Sequence, residues 1–140
     1  MTAITATDRF LLDASIWIGA MQPAAPYYEA CRALVVNSNY PVAALDLTMI
    51  EVANVLGVRD RRRKDAVDLC RLMTGRCPYL TAAADLTLIP LTLKLAIEHR
   101  LSAYDASYAA AALQEDLTLV SLDIRDLVSK GLAITPDAAV

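Results

Sequence analysis

RFLLDASI, residues 9–16, is an apolar run of the kind a buried strand needs, yet it carries a carboxylate, Asp13, within it. An ion taken out of water without a partner costs several kcal/mol, so Asp13 must have either hydrogen-bonding neighbours or a strand end to stand on. More apolar residues, Ile16, Trp17 and Ile18, follow directly behind it.

The segments that follow alternate in period. APYYEACRALVV (25–36) reads as a helix and PVAALD (41–46) as a short strand. TMIEVANVLGVR (48–59) and RRKDAVDLCRLM (62–73) space their apolar residues as helices do. LTLIP (86–90) reads as a strand, TLKLAIEHR (92–100) and SAYDASYAAAALQE (102–115) as helices, and LTLVSLD (117–123) and LAIT (132–135) as closing strands. Strands alternating with helices imply right-handed crossovers, a parallel sheet and helices on both of its faces. The expected fold is a three-layer α/β/α domain.

Composition sets the outer limits. The 140 residues suit a single domain, 1–140, and 56% hydrophobic with 21% charged residues excludes a disordered or collagen-like chain. Three cysteines, Cys31, Cys70 and Cys77, make an odd count without a C-x-x-C pair, which suits a reducing, cytoplasmic compartment. The start MTAITATDRFLLDAS has no basic leader, and no apolar run approaches membrane length, so neither export nor a membrane is expected. A net charge of -3 gives no overall attraction for nucleic acid, although one face can still be basic.

In an open parallel sheet, functional groups gather at the carboxyl ends of the strands, and both Asp13 and Asp123 fall near such ends. Glu51 lies three residues after Thr48 and Asp105 three after Ser102, which places each in the first turn of a helix starting near the same edge. Four carboxylates on one rim repel one another and call for a divalent cation; oxygen-only ligation favours Mg2+ or Mn2+ over zinc. The ordinary alternative for T-x-x-E and S-x-x-D is a capping box that carries no chemistry, and for a strand-end Asp it is a turn.

These segments together resemble the PIN-domain nucleases, and within them the VapC-type toxins of bacterial toxin–antitoxin pairs. The resemblance rests on LLDASIWI, with Asp13 and Ser15 as D-x-S/T, on TMIEVANVL with Glu51, on LSAYDASYAAAA with Asp105, and on LVSLDIRDL with Asp123. It implies a central, mostly parallel sheet of about five strands, a metal-dependent endoribonuclease, a small cognate antitoxin and a homodimer. It also implies that Asp13, Glu51, Asp105 and Asp123 bind metal or order water, with Ser15 hydrogen-bonding Asp13 and Asp126 in a supporting place. The chain departs from the pattern in the eight or so residues ahead of the first strand and in Asp46, an added carboxylate that suits a turn or cap.

Metal-assisted phosphodiester hydrolysis would leave 5′-phosphate and 3′-hydroxyl ends and needs no histidine. The sole histidine, His99, sits beside Arg100 at a helix end, where cations are favoured in any case. RDRRRK at 59–64 packs five of the thirteen Lys and Arg residues (Arg59, Arg61, Arg62, Arg63 and Lys64) into six positions. It is either an RNA phosphate contact or a solvated junction that meets an acidic partner. Arg125 either touches phosphate or pairs with Asp126, and Tyr104 and Tyr108 either stack a base or belong to the core. Two other classes compete with the nuclease. A catalytically silent module of the same fold would keep every one of these residues; a receiver-like phosphotransfer domain would want a lysine at a strand end, whereas Lys130 falls in a helix-to-strand loop.

Overall fold

The computed structural model describes residues 9–77 and 80–140. Residues 1–8, the stretch read as lacking a leader, lie outside the described residues. The central strand β1 (Phe10–Leu12) is buried throughout. It pairs in parallel with β2 (Val42–Ala43) on one side and β3 (Thr118–Val120) on the other, in the order β2-β1-β3. Alternation along β1 divides the interior in two, as a strand's period of two requires. Phe10 and Leu12 enter a cluster with Ile16, Trp17, Leu34, Leu56, Leu69 and Met73, whereas Leu11 joins Leu45, Leu95, Leu119, Leu127 and the alanines Ala109–Ala112.

The expected strand 9–16 stops at Leu12 because Asp13 starts a helix. Its backbone is extended (φ -77, ψ 175) and its carboxylate accepts from the Ser15 N–H, so it caps α1 (Ala14–Gly19). α2 (Tyr28–Val36) and α4 (Arg63–Arg76) follow the predicted helices and pack on the same side of the sheet as α1. Between them α3 (Asp46–Val52) runs on into wide π-type turns over Ala53–Arg59. Arg76 at the end of α4 donates to the carbonyls of Leu34, Val35, Asn37 and Tyr40 at 2.8–3.0 Å. It thereby satisfies the acceptors that the C-terminus of α2 leaves open. On the opposite side lie α5 (Ile89–His99) and α6 (Ala103–Gln114), the latter packed closely through its alanines. A short α7 (Pro136–Ala139) ends the chain.

The sheet has three strands among the described residues, not about five. LAIT contributes a single parallel bridge, Val120 to Ile134, and Thr81 makes another to Leu45 at the other edge. LTLIP is not a strand. Asp85 Oδ1 accepts from both the N–H and the hydroxyl of Thr87, which turns the chain, and Leu86 is 87% exposed. Pro90 then sits in the first turn of α5, where its missing N–H costs nothing, whereas in a strand it would remove a ladder bond.

Candidate metal centre

The partners that Asp13 needs are two serines. Ser15 donates to Asp13 Oδ1 through both its N–H (3.0 Å) and its hydroxyl, and the Ser121 hydroxyl donates to Oδ2. Each serine oxygen in turn accepts a backbone N–H from beyond β3: Leu122 N to Ser15 at 3.0 Å, and Asp123 N to Ser121 at 2.9 Å. The carboxylate therefore stitches the end of β1 to the end of β3, and the same serine that bonds its Oδ2, Ser121, holds the backbone N–H of Asp123. Ser121 is not among the residues that the sequence singles out; its signal is a hydroxyl two places before Asp123 at a strand end, mirroring Ser15 two places after Asp13. Burial pushes the Asp13 carboxyl up to about 6 even though both serines favour its charged form.

Asp105, Asp123 and Asp126 bring one carboxylate oxygen each within 4.8 Å of one another, the compact acidic group among the described residues. Asp126, expected only in support, thus stands level with the other two. It is brought there by a second set of π-type turns, Ile124–Val128, whose start Asp123 caps by accepting from the Asp126 N–H at 3.0 Å. Asp105 comes from the first turn of α6, where the Ser102 hydroxyl caps its N–H at 3.1 Å. Asp13 and Glu51 lie outside this trio's close spacing, yet the charge of Asp105 reaches Glu51. Burial raises the Glu51 carboxyl above its usual range, and the charges of Asp13 and Asp105 raise it further against the hydrogen bond from Tyr108. Asp105 is likewise raised, by burial and then by Asp123 and Asp126, with Ser102 and Lys130 opposing.

Glu51 is not the partner of a capping box. The helix begins at Asp46, so Thr48 is inside it, fully buried, and its hydroxyl pairs with that of Tyr108 at 2.7 Å. Asp46 serves as a tie, its carboxylate accepting from the N–H groups of Leu47 and Ala83. Tyr108 is 2% exposed and belongs to the core, whereas Tyr104 is 67% exposed. His99 ends α5, and its carbonyl accepts from Lys130 Nζ at 2.6 Å; the same ammonium lies 3.8 Å from Asp126. Arg125 is 93% exposed and approaches Asp126 to 3.9 Å.

The basic segment is largely spoken for by its neighbours. Arg59 pairs with Asp60, Arg62 with Asp65 and the Met21 carbonyl, and Lys64 with Asp68. Arg61 and Arg63 are exposed and make no ion pair among the described residues. Exposed pairs of this kind add little to the stability of the fold, but they offset three of the segment's five positive charges.

The donor set of the rim is carboxylate oxygen throughout, the set that a hard divalent cation takes, and three carboxylates this close repel one another until positive charge joins them. The residues present fit such an ion.

The PIN domain family model matches residues 10–129, and the chain belongs to the PIN-domain family. No curated protein sequence matches it. Among solved structures it is similar to PAE2754 from Pyrobaculum aerophilum, at 28% identity and TM-score 0.62 over 93% of this chain and 85% of that one. A toxin–antitoxin complex from Klebsiella pneumoniae gives 18% identity and TM-score 0.67 over 90% and 96% of the two chains. VapBC2 from Rickettsia felis, solved bound to a DNA fragment from its promoter, gives 16% and 0.65 over 90% and 96%.

Proposed function

We propose that this chain is a VapC-type toxin: a divalent-metal-dependent endoribonuclease that hydrolyses RNA phosphodiesters in the cytoplasm and is held in check by a small antitoxin. The observation that carries the reading is the clustering of Asp105, Asp123 and Asp126 in a PIN domain, with Glu51 within reach of the charges of Asp13 and Asp105. Asp105, Asp123 and Asp126, with Asp13 and Glu51 behind them, would hold Mg2+ or Mn2+. When bound, that ion supplies positive charge to the phosphoryl oxygens and acidifies a water. The chain's own work is positional: the two serines lock Asp13, the Asp126 N–H holds the Asp123 carboxylate, and Lys130 steadies Asp126. Toxin–antitoxin pairing in the similar structures supports an antitoxin partner. The test is incubation of the purified chain with structured RNA and Mg2+ or Mn2+. Cleavage that stops on adding EDTA is expected; an intact RNA pool would instead favour the silent binding module.

Arg61 and Arg63 are the cations of the basic segment free to meet RNA phosphates. Replacing both by alanine should lower the slope of log affinity against log salt by about 0.7 for each phosphate of single-stranded RNA that they neutralise. A filter-binding titration with an unchanged slope would remove them from the RNA path.

Self-association fits the outer face of α5, where Leu93 and Ile97 are exposed and flanked on one side by Lys94 and Glu98. Antiparallel pairing of two such helices sets like flank against like flank, so Lys94 of one copy meets Glu98 of the other. Sedimentation is expected to give a dimer that Ile97→Glu converts to monomer; a monomeric parent would contradict it.

A further inference from the structure

Thr48 and Tyr108 form a buried hydroxyl pair between α3 and α6. Thr48 stands one turn before Glu51 on α3, and Tyr108 stands one turn after Asp105 on α6. The Tyr108 hydroxyl is 2.7 Å from Thr48 Oγ1 and 3.2 Å from Glu51 Oε1. These are the side-chain hydrogen bonds that join α3 to α6 among the described residues. The direction of the protons follows from valence. An ionised carboxylate only accepts and Tyr108 has one proton, so Tyr108 donates to Glu51 and Thr48 donates to Tyr108. Thr48 thus spends its proton across the helix interface, and no other hydrogen bond to the Glu51 carboxylate comes from the described residues.

We propose that the Thr48–Tyr108 pair positions Glu51 for the divalent cation, Tyr108 fixing Oε1 so that Oε2 remains for the ion. The assignment rests on the metal-centre reading above. Two buried hydroxyls would be replaced by apolar atoms at little cost if packing were their whole purpose, since a matched pair deleted together leaves no orphan. Keeping them gives Glu51, the half-buried acid of the rim on α3, one orientation relative to Asp105 on α6. Partners that orient a metal ligand in this way typically control affinity by about 10–100-fold. Both are positioning residues, since neither hydroxyl is offered to the ion.

The experiment compares manganese affinity by calorimetry with thermal stability in the parent chain, in Tyr108→Phe and in the double variant Thr48→Val/Tyr108→Phe. Tyr108→Phe is expected to bind manganese about 10–100-fold more weakly and to lose stability, because the Thr48 hydroxyl is orphaned. The double variant is expected to recover the stability but not the affinity, and Thr48→Ser to keep both. Affinity that returns together with stability, or that never falls, overturns the proposal and leaves a structural pair. A parent chain that binds no manganese would instead overturn the metal-centre reading itself.

Discussion

Asp13→Asn is expected to abolish RNA cleavage while leaving the metal-free chain folded at neutral pH. The amide keeps the shape of the side chain but removes a charge from the rim and turns one acceptor into a donor facing serine hydroxyls. Manganese affinity should fall by more than the roughly 10–100-fold that losing a ligand's hydrogen-bond partner costs. Stability should move the other way. Burial holds the Asp13 carboxyl at about 6, so its charged form costs the fold free energy at neutral pH, and the variant escapes that cost less the hydrogen bonds it disturbs. Calorimetry and urea unfolding in EDTA check the two halves. Parent-like metal binding and cleavage in Asp13→Asn would remove this residue from the centre.

The second large effect is a stability profile of inverted sign. A carboxyl raised from 3.8 to about 6 binds more protons folded than unfolded between those values. Its contribution to stability is therefore present below pH 3.8 and is lost as pH climbs to 6, by about 3 kcal/mol at roughly 1.4 kcal/mol per unit. Glu51 and Asp105 are raised as well and tilt the profile the same way. Asp60, Asp68 and Asp85 are lowered, and theirs is stability lost as pH falls below 3.8, outside this window. Unfolding of the metal-free chain in EDTA should thus show falling stability from pH 4 to pH 6, with the slope largely gone in Asp13→Asn. Stability rising through that interval would contradict the burial of an unneutralised Asp13.

Much of the fold is written locally. The apolar spacing of α2, α4 and α6 matches their buried faces, and LLDAS already poses the question that the serines answer. What stays hidden is what depends on distance or on a turn. LTLIP has a strand's composition, but Asp85 and Pro90 on either side make it a turn leading into a helix. LAIT is apolar enough for a strand yet reaches its neighbour only at Ile134. Asp126 joins the acidic trio because π-type turns bring it round beside Asp123, a geometry that helical spacing does not announce. Ser121 and Asp13 are 108 residues apart, and Tyr108 and Glu51 are 57 apart, so no local pattern links either pair. The acids themselves were legible because charge in an apolar run is conspicuous, and so were their near partners Ser15 and Ser102; the distant hydroxyls of Ser121 and Tyr108 were not, since Ser and Tyr are at home almost anywhere.

The central claim is that the carboxylate rim runs a hydrolysis with water as nucleophile, and the ends of the cut RNA report it directly. Attack by water leaves a 5′-phosphate and a 3′-hydroxyl, whereas attack by the neighbouring 2′-hydroxyl leaves a cyclic phosphate and a 5′-hydroxyl. The single histidine offers no histidine pair for the second route, and the acidic rim suits a metal-bound water. The decisive measurement is sequencing of both RNA termini after incubation of the purified, antitoxin-free chain with Mn2+, in parallel with EDTA. The account predicts 5′-phosphate and 3′-hydroxyl termini that vanish with the chelator; cyclic phosphate termini, or undiminished cleavage in EDTA, would contradict it.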